Sequence, residues 1–122
     1  MQHQAAVAYQ ATAKTVETPR DREAALLIKS AATMQNLRDN WPADFEVLRT
    51  GLTFNRKLWT IFMSSVTRED NPLSAPVRQN IANLGMFILN ETREILLDPV
   101  APNRLDPLIN INRQLAAGLR GN

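Results

Sequence analysis

The chain has no cysteine and only one histidine in 122 residues. Without thiols there is no disulfide framework, no thiolate metal site and no cysteine nucleophile. A cysteine-free chain also fits a cytoplasmic setting. The lone imidazole, His3, stands beside the amino terminus, so neither a histidine-built metal centre nor Ser–His catalysis is expected. No block of about five or more like charges occurs. No stretch approaches the roughly 18 uninterrupted apolar residues of a membrane span. The opening segment, MQHQAAVAYQATAK, lacks a basic start and a long apolar run, so no signal peptide is expected.

Catalytic patterns are missing as well. The acidic residues are scattered over helix starts and loops, and no spacing forces two of them together. There is no glycine-rich phosphate loop, no metal-ligand spacing and no nucleophile motif. A binding protein without cofactor or metal is expected, not an enzyme. The charge is nearly balanced, with 14 basic against 12 acidic residues and a net charge of +2. That is too mild to imply nucleic acid by itself.

What is present is helical signal. At 44% hydrophobic and 21% charged residues, the composition is that of a folded globular chain, most simply one domain. The patterns predict an all-α, single-domain bundle of about five helices, near 4–17, 19–40, 44–67, 75–97 and 104–118. The first is Ala-rich and weakly apolar, with Ala5, Tyr9, Ala13 and Val16 on one side. Thr18-Pro19-Arg20-Asp21 starts the second: Thr18 can cap, Pro19 suits the first helical position, and Asp21 favours the positive end of the dipole. Its apolar stripe is Leu27, Ala31, Met34 and Leu37, and Trp41-Pro42 interrupts it. The last has Leu105, Leu108, Ile109, Asn112 and Leu115 in phase, with Gly118 as the expected stop.

Two helices carry more than a core stripe. In DFEVLRTGLTFNRKLWTIFMSSV (44–66), Leu48, Leu52, Trp59, Phe62 and Val66 share a face with Asn55. Asn55 is expected to be buried and hydrogen-bonded, since an unpaired buried amide costs roughly 1–3 kcal/mol. Val47, Phe54, Leu58 and Ile61 form a second apolar band beside that face. The apolar arc is wider than the roughly 100° of an ordinary surface helix. Either the helix packs on two sides, or one band is an open groove for a partner helix. Arg49, Arg56 and Lys57 lie on the remaining strip; they form a solvated or ion-paired face, or a weak RNA-binding one.

RQNIANLGMFILN (78–90) sorts in the same way. At about 100° per residue, Val77, Ile81, Leu84, Gly85, Ile88, Thr92 and Ile95 fall on one face, with Gly85 placed for close helix approach. Asn80, Asn83, Asn90 and Glu94 fall opposite, with Phe87 among them. This second face is either solvated or an aromatic anchor ringed by amides for a partner.

Ala8-Tyr9 in the first helix, the Ala/Leu-rich second helix, NRKLWTIFMSSV (55–66), NPLSAPVRQNIANLGMFIL (71–89) and LDPLININRQLAAGL (105–119) together resemble the FlaF family of flagellar biosynthesis proteins of alphaproteobacteria. The resemblance covers about residues 8 to 119. It implies a cytoplasmic, non-enzymatic protein that promotes flagellin synthesis and export. Such a protein acts after transcription, in opposition to or in concert with the regulator FlbT, and is associated with flagellin as a secretion chaperone. The expected partner-binding residues are Phe54, Leu58, Trp59, Ile61 and Phe62 for a helix-binding groove, with Asn80, Asn83, Phe87 and Asn90 as anchors and amide contacts. The alternative is a direct post-transcriptional regulator that binds flagellin mRNA through Arg49, Arg56 and Lys57.

Overall fold

A computed structural model describes residues 18–121. It contains four α-helices: α1 (Pro19–Asp39), α2 (Phe45–Val66), α3 (Ala75–Leu97) and α4 (Asp106–Leu119). A short 3-10 turn, Pro102–Leu105, precedes α4. There is no strand among the described residues, and the architecture is a helical bundle. The helix expected over 4–17 lies outside the described residues. No helix among the described residues is long and apolar enough to cross a membrane.

The helix starts follow from local chemistry. Thr18 closes a reciprocal capping box: Asp21 N–H donates to Thr18 Oγ1 (3.1 Å) and Thr18 N–H donates to Asp21 Oδ2 (3.3 Å). Two orphan donors are satisfied at once, and Pro19 occupies a position whose N–H would have had no partner. Asp44 caps α2 by accepting from the Glu46 (2.9 Å) and Val47 (3.4 Å) N–H groups. The expected last helix divides in two because Pro107 has no N–H to complete an α-type bond. The chain tightens instead, with Asp106 N–H donating to the Asn103 carbonyl. Gly118 is not the stop. The helix runs through it to Leu119, and Gly121 takes the left-handed conformation (φ 82°) beyond the end.

In the bundle α1 packs along α4, α2 lies between α1 and α3, and the 3-10 turn wedges against α1 and α4. The expected stripes form one core. Leu27, Ala31, Met34 and Leu37 of α1 are buried with Leu48, Leu52, Trp59 and Phe62 of α2, Ile88 and Ile95 of α3, and Leu105, Leu108 and Ile109. Ion pairs fasten the edges. Arg38 of α1 forks onto Asp106 at the start of α4, and Arg104 Nη2 of the 3-10 turn meets Glu91 Oε1 of α3 at 2.8 Å.

Candidate functional site

Helix α2 positions everything of interest, because three surfaces meet on it. Its inner strip is Leu48, Leu52, Asn55, Trp59, Phe62 and Val66, all buried. Trp59 and Phe62 pack edge to face with ring centroids 5.9 Å apart. Asn55 is fully buried and hydrogen-bonded, as its phase predicts. Trp59 Nε1–H, a donor only, binds Asn112 Oδ1 of α4 at 2.8 Å. That contact orients the Asn112 amide, so Asn112 Nδ2 donates to Asn55 Oδ1 (2.7 Å) and to the Leu27 carbonyl (3.3 Å). Ser30 Oγ donates to the same Asn55 Oδ1 at 2.8 Å. The network ties α1, α2 and α4 into one register, and it leaves Asn55 Nδ2 without a protein partner.

On the side toward α3 the contact is close. A Cβ on Gly85 would collide with Met63 Cγ and Sδ. Glycine is there because the Met63 side chain occupies the space of its missing methyl group. With Met63 opposite Gly85 on antiparallel helices, Val77 projects past the end of α2. It is 45% exposed and does not join the core face as its angular position suggests.

The outer strip of α2 is apolar. Val47 (56% exposed), Phe54 (39%) and Ile61 (67%) recur every seven residues, so they lie nearly in line over about 21 Å of helix. Phe54 and Val47, with Thr50 and Gly51, wall an open cleft whose other side is Lys29 and Thr33 of α1. Ile61 reaches a second cleft, between α2 and α3, with Arg56, Lys57, Thr60, Leu89 and Arg93.

The expected groove residues therefore separate. Phe54 and Ile61 are at the surface. Leu58, Trp59 and Phe62 are buried and are reassigned from groove to core, because α2 lies between α1 and α3 and meets α4 at Trp59, so that neighbouring helices cover the band on which they lie. Asn80, Asn83, Phe87 and Asn90 are exposed, with Asn83 Oδ1 accepting from Gln79 Nε2 at 3.0 Å. They lie about 100–180° round α3 from Leu89, so they form a surface of their own rather than part of the groove. Of the three cations expected on one strip, Arg49 is held by Glu46 at 2.6 Å. Arg56 and Lys57 are joined instead by Arg93 from α3. No local signal in the sequence connects Arg93 to them; helix packing does.

A family model described as "Flagellar protein FlaF" matches residues 5–119. Among curated proteins and solved structures no match was found. The matched span includes every helix of the bundle and both clefts, and the chain belongs to the FlaF family of flagellar proteins.

Proposed function

We propose that this flagellar protein is a non-catalytic cytoplasmic chaperone that binds flagellin and promotes its synthesis and export. It captures a flagellin segment as an amphipathic helix laid along the outer strip of α2. The observation that carries the reading is the Val47–Phe54–Ile61 seam. Three large apolar side chains left in water at heptad spacing match what a partner helix presents at every second turn. A segment that orders only on binding loses roughly 2–5 kcal/mol to that ordering, and burial of the seam offsets it. Control of flagellin translation then follows indirectly, by titration of flagellin or FlbT.

The test is a pull-down of purified flagellin at low and high salt, with the intact chain and with a Val47→Ser/Phe54→Ser/Ile61→Ser variant. Capture by the intact chain at both salts and loss in the variant supports the reading. No capture of flagellin or FlbT at either salt, or capture undiminished in the variant, overturns it. Direct binding of flagellin mRNA is the competing reading, favoured by the cations of the second cleft. It requires affinity for the message that falls steeply with salt.

A further inference from the structure

The cleft between α2 and α3 differs from its neighbour in charge. Its apolar lining is aliphatic, Ile61 and Leu89, and Arg56, Lys57 and Arg93 line it beside them with no carboxylate. Arg56 and Lys57 have no acidic side chain within ion-pair distance among the described residues. Arg93 meets only its neighbour Glu94 at 3.2 Å, and both are well exposed, a pairing of little strength in water. The α1/α2 cleft, by contrast, has one cation and one anion on its walls, Lys29 and Glu46. On a chain whose net charge is only +2, three cations beside one apolar lining are a local arrangement.

We propose that the α2/α3 cleft docks an acidic amphipathic helix. One apolar side chain sits over Ile61 and Leu89, and carboxylates a turn to either side face Arg56, Lys57 and Arg93. Residues three and four apart on a helix stand about 5–6 Å from each other, which lets one face present the anchor and its flanking anions together. Guanidinium forks favour carboxylates geometrically as well as by charge. A nucleic acid would satisfy the cations but leave the aliphatic side chains unused, and no aromatic side chain lines the cleft to stack a base. The inference rests on the docking reading above and adds to it the charge of the captured segment.

Fluorescence anisotropy tests it with synthetic amphipathic peptides that share one leucine stripe and carry Glu, Gln or Lys at the flanking positions. A single-stranded RNA oligomer is included, and the proteins are the intact chain and a Lys57→Glu/Arg93→Glu variant whose helicity is checked by circular dichroism. The intact chain is expected to bind the Glu peptide about tenfold more tightly than the Gln peptide, with the gap closing at high salt. The variant is expected to prefer the Lys peptide. No measurable binding of the Glu peptide, equal affinity for the Glu and Gln peptides, or a preference unchanged in the variant overturns the proposal. RNA bound more tightly than any peptide, and lost in the variant, overturns it in favour of nucleic acid. If flagellin binds while the peptide preference is absent, this inference falls and the docking reading stands. If the preference holds while flagellin is not bound, the charge assignment stands and the partner is a different one.

Discussion

Each strip of α2 carries side chains of the kind usually found on the other. The inner strip, buried in the bundle, contains an amide, Asn55, bonded to Ser30 and Asn112. The outer strip, in water, contains Val47, Phe54 and Ile61. A purely apolar inner strip would bind its neighbours at least as well, and it would leave no donor like Asn55 Nδ2 without a partner. What the amides add is directionality. Hydrogen bonds from Trp59 and Ser30 are satisfied in one register of the three helices, whereas apolar contacts tolerate sliding. The outer strip contributes nothing comparable to the fold, so its apolar residues fit a role toward a partner. Stability and binding should therefore separate across a single helix.

The largest effect is expected inside. Trp59→Ala removes the biggest buried side chain of α2 and the donor to Asn112. It should cost about 3–5 kcal/mol in urea unfolding. Trp59→Phe keeps most of the volume but strands Asn112 Oδ1, and should cost about 1–3 kcal/mol. Combining Trp59→Phe with Asn112→Leu should cost less than the sum of the two single changes, because no stranded acceptor remains. Strict additivity would show that the network does not act as a unit.

The side of α2 that meets α3 should respond next. Gly85→Ala gains about 1 kcal/mol of helix propensity but drives a methyl group into Met63, where overpacking costs about 1–3 kcal/mol. A net loss of about 1 kcal/mol is expected. In a Met63→Ala background the same change should become stabilising. A loss that persists there would place the constraint in the backbones rather than in the Met63 side chain.

Outside, the Val47→Ser/Phe54→Ser/Ile61→Ser variant should cost little at Val47 and Ile61 and about 1–2 kcal/mol at Phe54, whose ring is only 39% exposed, and yet lose flagellin in a pull-down. Large destabilisation would mean that the outer strip belongs to the fold and would erase the contrast. Phe87→Ser offers the same dissection for the amide-rich surface of α3.

The smallest effect concerns Glu23, whose carboxyl is pushed above its ordinary value by burial, partly offset by Arg20. The folded chain binds that proton more tightly than the unfolded chain. Its contribution to stability therefore falls as pH rises through the range just above the ordinary carboxylate value, and it remains lower at neutral pH. Glu23→Gln should raise the neutral-pH Tm slightly and flatten that part of the profile.

Much of this was legible beforehand, and for local reasons. Thr18, Pro19 and Asp21 specify a helix start whatever surrounds them, and α1 begins at Pro19. Helical phase alone put Asn55 among Leu48, Leu52 and Trp59, and the four are buried together. Gly85 on the core face of α3 announced a close approach, and Met63 makes it. The site was less legible. Leu58, Trp59 and Phe62 belong to a broad apolar arc, and periodicity cannot say where along that arc the neighbours stop. Arg93 lies far from Arg56 and Lys57 in the chain, and only the pairing of α2 with α3 brings them to one cleft.

The sequence by itself determined the helices, their caps and the residues that share each face, because these depend on backbone hydrogen bonding and on side chains within a turn or two. The tertiary structure decided which apolar band of α2 was closed by neighbouring helices and which stayed in water. It also decided how far α3 overlaps α2, leaving Val77 beyond the end, and which cations share an apolar lining. Those outcomes depend on how helices distant in sequence meet, and a helix's own periodicity carries no record of which of its faces finds a neighbour.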